Sequence, residues 1–168
     1  MTLCNNHNNC VDTAIKKAED LCLKQKIQFT KLRRNILNLI WQNHKPLKAY
    51  DILEQLQVKE SSAKPITVYR TLDFLIENRM IHKIESQNAF LGCRHPGELH
   101  NCYFLICKEC NTAEEACEND LLKNVYTNLE SQGFAVEHIT LEIQGICKEC
   151  NSLKNRLKDN NIEHRPNP

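Results

Sequence analysis

Residues 82–117 read HKIESQNAFLGCRHPGELHNCYFLICKECNTAEEAC. This stretch contains soft or borderline metal donors at a density that core packing does not require. They are His82, Cys93, His95, His100, Cys102, Cys107, Cys110, Glu115 and Cys117. We therefore expect the chain to be organised around bound metal.

The C-x-x-C pair Cys107/Cys110 is repeated near the end of the chain as Cys147/Cys150, with the same Lys-Glu filler. Two such pairs can supply four thiolates to one tetrahedral zinc ion, and a closed four-sulfur site is structural. The 36 residues between Cys110 and Cys147 exceed the common zinc-ribbon interval. An intervening helix and strand could still bring the pairs together. A redox-active dithiol and coincidence are the alternatives.

A second set of donors remains beside the cysteine pairs. It comprises His82, Cys93, His100 and Glu115. Each has an ordinary explanation when taken alone, since a lone histidine usually belongs to the surface or the core and Glu115 falls in an acidic loop. Together they offer sulfur, nitrogen and oxygen donors that suit Zn²⁺. We expect the cysteine pairs to stabilise the fold and this second set to switch the protein between conformations. One ion bound to all four donors would link the two halves of the chain. The nearest competing ligands are His95, Cys102 and Cys117.

Charge divides the 168 residues into two unlike halves. Residues 1–92 carry 14 Lys and Arg against 9 Asp and Glu, whereas residues 93–168 carry 8 against 12. A polyanion is therefore expected to meet only the front half. No apolar run reaches the roughly 20 residues that span a bilayer, and the N-terminus lacks a secretory pattern. The sequence predicts a cytoplasmic protein with no membrane partner, and ten cysteines there favour metal over disulfides.

Apolar periodicity predicts helices and a small hairpin in the front half, which describes a winged helix-turn-helix. The first helix begins at Asp12 or Thr13, and Thr30 caps the second. A third helix covers 49–56, a fourth runs from about Ile66 to Asn78, and strands cover 81–85 and 89–91. Three cations, Lys31, Arg33 and Arg34, fall in the first turn of the second helix. Positive charge in the first turn interacts unfavourably with the helix dipole, and a phosphate bound there would reverse the sign of that interaction. The alternative is that these cations form a solvated basic face.

The fourth helix separates an apolar stripe from a polar face. Its buried stripe is predicted to be Val68, Leu72, Leu75 and Ile76, and Thr67, Tyr69, Arg70 and Asp73 lie away from it. Tyrosine and arginine on an exposed first turn suit base edges and phosphates.

The fold class that follows is α+β, with two domains and two tails. We expect a flexible tail over 1–11, a DNA-binding domain over 12–92, a hinge over 93–99, a small α/β domain over 100–151 and a flexible tail over 152–168. In the second domain, residues 101–106 and 135–144 alternate in polarity as strands do, and residues 120–132 have a helical period that stops at Gly133. A unit of about fifty residues needs a metal, a partner subunit or both. Cys4, His7 and Cys10 could catch a metal, although an incidental cluster in a tail is the alternative.

The segments 64–75 (KPITVYRTLDFL) and 81–86 (IHKIES), together with the two C-x-x-C pairs, resemble the ferric uptake regulator family over about residues 12–151. The resemblance implies a homodimer with winged-helix and dimerisation domains, which binds a palindromic double-stranded DNA operator when metal is present and represses metal-uptake genes. A two-fold protein fits a two-fold site. By motif, Tyr69 and Arg70 face bases, and Tyr50 contacts the operator.

The same resemblance assigns the metal ligands. Cys107, Cys110, Cys147 and Cys150 match the structural zinc site, and His82, Cys93, His100 and Glu115 match the regulatory site of the zinc-sensing branch. About two Zn²⁺ per subunit are therefore expected. Iron-sensing relatives carry a histidine run that residues 101–106 lack, and Cys93 supplies a thiolate, so zinc is favoured over an iron-, manganese- or peroxide-sensing alternative.

Functions of other classes fit the sequence less well. A zinc hydrolase or deaminase needs an H-E-x-x-H or H-x-E…P-C-x-x-C pattern, and neither is present. A zinc-buffering or thiol-redox protein would explain ten cysteines but not the basic half or the exposed Tyr69-Arg70 pair. The chain is therefore predicted not to be an enzyme and to take no small organic substrate.

Overall fold

The computed structural model describes residues 7–42, 44–59, 63–117, 119–137 and 139–162. The elements follow in the order α1 (His7–Gln25), α2 (Lys31–Trp41), β1 (Leu47–Lys48), α3 (Ala49–Lys59), α4 (Pro65–Glu77), β2 (Ile81–Ile84), a 3₁₀ turn (Glu85–Gln87), β3 (Ala89–Gly92), β4 (Tyr103–Cys107), β5 (Ala113–Ala116), α5 (Asn119–Ser131), β6 (Glu142–Gly145) and α6 (Lys148–Ile162). No helix in these ranges is long and apolar enough to cross a lipid bilayer.

Helices α1–α4 enclose one apolar core in the first half of the chain. Its most completely buried side chains include Ile36, Leu37, Ile40, Ile52, Leu72 and Leu75. An antiparallel sheet in the order β1-β3-β2 closes one side of this core. The winged helix-turn-helix expected from the periodicity is therefore confirmed, with the two-residue strand β1 as an addition.

The termini of α2 and α4 follow from local sequence. The Thr30 hydroxyl accepts a hydrogen bond from the Arg33 amide at 3.3 Å, so it caps α2 as predicted. Pro65 opens α4, where a missing amide proton costs nothing. At the other end Arg79 adopts a left-handed φ of 53°, and the Met80 amide reaches back to the Leu75 carbonyl at 2.8 Å. This closure ends α4 and turns the chain into β2.

The hairpin β2–β3 lies close against α2 at one point. A methyl group added to Gly92 would lie 2.3 Å from Cε2 of Trp41. Only glycine therefore lets the indole of α2 cover the end of β3. At the hairpin tip, Asn88 takes a left-handed φ of 46°.

The second sheet has the order β5-β4-β6, with β4 antiparallel to β5 and parallel to β6. Helix α5 packs against this half through Leu122, which is buried. The chain leaves α5 through Gly133, whose φ of 76° allows the predicted stop.

The two sheets share a second apolar cluster. Ile84 and Leu91 of the hairpin meet Phe104, Ile106 and Ala113 of the second sheet. Polar contacts cross the same junction. The Ala113 amide donates to the His44 carbonyl at 2.8 Å, and the Glu142 carboxylate accepts from the Glu85 amide at 2.6 Å and from the Ser86 amide at 3.2 Å.

Both predicted tails contain helix. Helix α1 starts at His7, so residues 7–11 are helical and not a flexible tail, while Cys4 and the side chain of His7 lie outside the described residues. Helix α6 extends to Ile162 across most of the predicted tail 152–168. That prediction was wrong because α6 is largely polar, with Cys150, Leu153 and Leu157 set among mostly charged and amide residues. Its start is instead set by the carbonyl of Cys147, which accepts from the Asn151 amide at 2.9 Å.

The strands of the second half also differ from their predictions. The alternation over 135–144 becomes a strand only at Glu142–Gly145. Glu115 was expected in an acidic loop, but it lies on β5, where it pairs with Phe104 of β4. The β5 sequence AEEA has no β-branched or aromatic residue, so propensity alone does not predict it.

Candidate metal centres and nucleic-acid interface

The four cysteines of the C-x-x-C pairs meet at one end of the second sheet. Parallel pairing of β4 with β6 sets Cys107 opposite Gly145, two residues before Cys147. Cys110 follows in a turn that Asn111 closes with a left-handed φ of 58°, and Cys150 lies in the first turn of α6. The four sulfurs lie within 4.8 Å of one another, and we call these residues the four-cysteine set.

Hydrogen bonds favour the thiolate form of two members of the four-cysteine set, Cys107 and Cys110. Donation from the Cys110 and Cys147 amides lowers the pKa of Cys107 to about 6, and the Cys147 amide lies 3.3 Å from its sulfur. The Thr112 hydroxyl, 3.1 Å from the sulfur of Cys110, lowers the pKa of that thiol. Thiolate is the form that binds metal. Four converging sulfurs fit a closed tetrahedral zinc site.

A second group of donors joins the two sheets. His82 comes from β2, Cys93 follows β3, His100 lies in the connection to β4, and Glu115 lies on β5. One donor atom from each lies within 4.8 Å of all the others. We call these four residues the inner set. Its sulfur, two nitrogens and carboxylate oxygen are a donor combination that Zn²⁺ accepts.

Glu115 is the centre of the inner set. Its Oε1 lies 3.1 Å from Nε2 of His82 and 2.7 Å from Nε2 of His100, and the Arg94 amide donates to Oε2 at 2.8 Å. Only 1% of its side chain is exposed. Burial opposes the charge of Glu115, but the hydrogen bonds from His82, Arg94 and His100 outweigh it and lower its pKa to about 2. The carboxylate is thus held ionised inside the protein.

The remaining members of the inner set are oriented by backbone groups. The Glu98 carbonyl lies 3.0 Å from Nδ1 of His100 and holds the ring so that Nε2 faces the centre. The His95 amide donates to the sulfur of Cys93 at 3.3 Å. Burial and the neighbouring Glu115 charge raise the pKa of Cys93, so the thiol keeps its proton until a cation replaces it.

Two of the three competing donors also reach this centre. His95, His100, Glu115 and Cys117 again place one donor atom each within 4.8 Å of one another, and we call them the outer set. Cys102 belongs to neither set; its side chain hydrogen-bonds with Glu115 and packs against the apolar cluster between the sheets.

Helix α4 presents the polar face that its sequence predicted. Val68, Leu72 and Leu75 are buried, whereas Tyr69 is 54% exposed and Arg70 is exposed beside it. Thr67 and Asp73 are exposed on the same helix. Tyr50, at the start of α3, is 72% exposed. The side chains predicted to contact DNA therefore lie at the surface of the helix-turn-helix.

The three cations at the start of α2 differ in their surroundings. Lys31 is exposed. The Arg33 guanidinium lies 3.3 Å from the centroid of the Phe74 ring and donates to the Gln28 carbonyl. Arg34 pairs with Glu19 of α1. Arg33 and Arg34 thus tie α2 to its neighbours, a use that the sequence did not reveal.

Other residues that build the inner set were missed as well. The Arg94 amide and the Glu98 carbonyl act through the backbone, so no side-chain motif identifies them. Cys117 and His95 were named only as competitors. The sequence feature that pointed to these two residues was their short spacing from Glu115 and His100.

Comparison with known proteins identifies the family to which this chain belongs. The model of the ferric uptake regulator family matches residues 24–144. The chain belongs to the ferric uptake regulator family. Members of this family are transcription regulators and not enzymes.

Within the ferric uptake regulator family, the zinc uptake regulation protein of Escherichia coli strain K12 is 34% identical over 137 residues, which cover 81% of this chain and 80% of that protein. A zinc uptake regulator solved in complex with zinc and DNA is 32% identical, with a TM-score of 0.80 over 86% of this chain and 97% of that one. The crystal structure of holo XcZur is 36% identical, with a TM-score of 0.75 over 83% and 98%.

These likenesses and the donor clusters support a metal-responsive regulator that binds DNA. They agree with the exposed α4 face and with the two groups of donors that could hold metal. The mixed fold, with helices first and an α/β unit second, is also confirmed.

Proposed function

We propose that this protein is a zinc-responsive repressor, which binds palindromic operators as a homodimer when Zn²⁺ is bound and represses zinc-uptake genes. The observation that carries the proposal is the convergence of the inner set within 4.8 Å. Its donors come from both sheets. The family explains regulation, but this donor set is what argues for zinc.

The inner set can act as a switch because it links parts that carry different tasks. His82 lies on the hairpin of the DNA-binding half, and Glu115 lies on the second sheet. A bound Zn²⁺ contributes affinity only when both parts are in the arrangement that brings the donors together, so it selects that arrangement. The buried and ionised Glu115 holds His82 and His100 ready for a cation.

The donor chemistry favours zinc over iron or manganese. Cys93 offers a soft thiolate, and imidazole nitrogens complete a set typical of zinc. An iron- or manganese-sensing site prefers oxygen and nitrogen donors without sulfur. Cys93 is therefore the residue that decides the metal.

The four-cysteine set is proposed to hold a structural zinc. Its sulfurs lie at the end of β4 and the start of α6, so they join two cysteine pairs that are separated by 36 residues in sequence. A small sheet with one covering helix gains much of its folding free energy from such a site. We expect about one zinc there and one in the inner set of each subunit.

DNA contact is proposed for the exposed face around α4. Tyr69 and Arg70 are suited to base edges, and Thr67, Tyr50 and Lys31 to phosphates. Arg33 and Arg34 lie at the same helix start and add positive charge there. The domain division remains that of the sequence, with 12–92 reading DNA and 100–151 joining two copies.

Exposed apolar side chains in the second half support dimerisation. Leu121, Phe134, Ile143, Ile146 and Leu153 are each between 39% and 62% exposed. A second copy of this chain could cover them. Two-fold symmetry would then present two α4 helices to the two halves of a palindrome.

The experiment is binding of the purified protein to a zinc-uptake promoter fragment at graded free Zn²⁺, with Fe²⁺ and Mn²⁺ in parallel. Metal analysis after mild chelation comes first. We expect about one retained zinc per subunit and tight binding only after Zn²⁺ is added. Binding with Fe²⁺ or Mn²⁺ but not with Zn²⁺ would move the protein to another branch of the family. No specific binding under any metal would refute the proposed function.

A further inference from the structure

The outer set shares half of its donors with the inner set. His100 and Glu115 belong to both, whereas His95 and Cys117 replace His82 and Cys93. Each set offers two imidazoles, one carboxylate and one thiol. Each brings its donor atoms within 4.8 Å, so both match the span of a small cation and its ligands.

Contacts within the outer set are already made. The sulfur of Cys117 lies 3.5 Å from Oε1 of Glu115 and 3.7 Å from Nδ1 of His95. The rings of His95 and His100 meet edge to face, with centroids 5.4 Å apart. These groups therefore face one centre, although His95 and Cys117 come from different segments.

The two sets differ in exposure. Cys93 is 1% exposed, and His82 is half-buried against Phe104. His95 is exposed, and Cys117 is only partly buried. A hydrated cation arriving from solvent therefore meets the outer donors first.

The two sets also differ in which parts of the chain they join. Every residue of the outer set follows the hairpin in sequence, whereas the inner set includes His82 on β2. A cation in the outer set makes no bond to the DNA-binding half. Only its transfer to the inner set links the two sheets.

We propose that the outer set is a second zinc position, which accepts the ion before it passes to the inner set. Sharing of His100 and Glu115 makes the two positions mutually exclusive and keeps two bonds intact during transfer. The exchange balances, because the thiol of Cys93 loses a proton as the thiolate of Cys117 regains one. This proposal rests on the zinc site proposed above.

Cobalt(II) is the probe, since a cobalt–thiolate bond absorbs in the near ultraviolet and a site without sulfur does not. The protein is first shown by metal analysis to retain its structural zinc. Wild type, Cys93→Ser, Cys93→Ser/Cys117→Ser and Cys93→Ser/Cys102→Ser are then titrated. We expect the thiolate band in wild type, in Cys93→Ser and in the Cys102 control, and its loss in the variant that lacks both Cys93 and Cys117.

Each other result is informative. A band that disappears in Cys93→Ser would overturn the outer position and leave the proposed function standing. A band that survives in Cys93→Ser/Cys117→Ser would also overturn it, because another thiol would be the ligand. A wild type without the band would refute the inner set and the outer set together.

The order of loading has its own measurement. Stopped-flow mixing of chelated protein with Zn²⁺, followed by a competing zinc indicator, gives the loading rate. Loading should slow several-fold in Cys117→Ser and in His95→Ala, and Cys102→Ser should load like wild type. Equal rates in all four proteins would overturn the role of the outer set as an entry position.

Discussion

Cys93 is the residue on which we propose that metal identity depends. Replacing it with serine removes the thiolate of the inner set but fills nearly the same space. We expect Cys93→Ser to weaken zinc-dependent operator binding by at least the roughly 10–100-fold that loss of a supporting residue costs. The dimer should remain folded. Fluorescence anisotropy with an operator duplex at controlled free Zn²⁺ measures the effect.

Cys102→Ser is the matched control for that experiment. Cys102 lies beside the inner set but belongs to neither group of donors. Its replacement should leave the zinc response close to that of wild type. If Cys93→Ser responded to zinc normally, the assignment of the regulatory site would be wrong.

Arg70 is the residue that we propose reads the DNA sequence most directly. It is exposed on α4 next to Tyr69. If its guanidinium forks onto a base, Arg70→Ala should cost about 1–3 kcal/mol of specific binding. Non-specific binding should change much less, because most of that affinity comes from phosphate contacts.

Arg156→Ala provides the control for Arg70, since Arg156 is exposed on α6 and far along the chain from α4. Both variants are titrated with the operator and with a scrambled duplex. Equal losses on the two duplexes for Arg70→Ala would contradict base recognition.

Single residues show what sequence could reveal of the site. Both groups of donors were identifiable from residue type and spacing, and the structure brings their atoms together. Their assignment as ligands stays a prediction until metal is measured. The amide of Arg94 and the carbonyl of Glu98 could not be found, because backbone groups leave no mark on the sequence.

The contact between α2 and the hairpin sets a limit on β3. An added methyl at Gly92 would overlap the indole of Trp41, so one of them must shift. We expect Gly92→Ala to destabilise the protein by about 1–3 kcal/mol. Chemical denaturation with zinc present throughout measures the difference in free energy of unfolding.

Gly145 offers a control of the same kind. It also ends a strand, β6, but a methyl there meets nothing within 4 Å. Gly145→Ala should change stability by no more than about 0.5 kcal/mol. Similar losses in the two variants would show that strand ends in general, and not the Trp41 contact, resist a side chain.

Elements with a clear apolar period were predicted well. Regular spacing of apolar residues, with Thr30, Pro65 and Gly133 at helix ends, predicted helices α2, α4 and α5. The same kind of pattern predicted the hairpin β2–β3. Strand β1 was missed because its partner β3 is distant in sequence, and β5 was missed because its AEEA sequence has no β-branched or aromatic residue. Helix α6 was missed because it is polar and its first turn is fixed by Cys147.

At the scale of the whole molecule, we propose that the second half depends on the four-cysteine set. Cys107→Ser leaves three thiols and should release the structural zinc. We expect loss of the second sheet and of the dimer, because binding of such a zinc contributes directly to folding. Circular dichroism and gel filtration measure these losses, and α1–α4 should keep their helical signal because their core is separate.

Cys10→Ser controls for the general loss of a thiol, since Cys10 lies on α1, in the other half of the chain. It should retain both the zinc and the dimer. A Cys107→Ser protein that kept a folded second sheet without zinc would contradict a structural role for the four cysteines.

The parallel pairing of β4 with β6 gives the cysteines a further consequence during folding. Parallel strands joined by a long connection pair slowly, and a slip of one residue turns every side chain to the opposite face. Cys107 stands opposite Gly145 only in the native register. A slipped pair would separate the sulfurs of the two C-x-x-C motifs. We therefore expect zinc binding to favour the native register, because a chain whose strands have paired out of register cannot offer all four sulfurs to one ion.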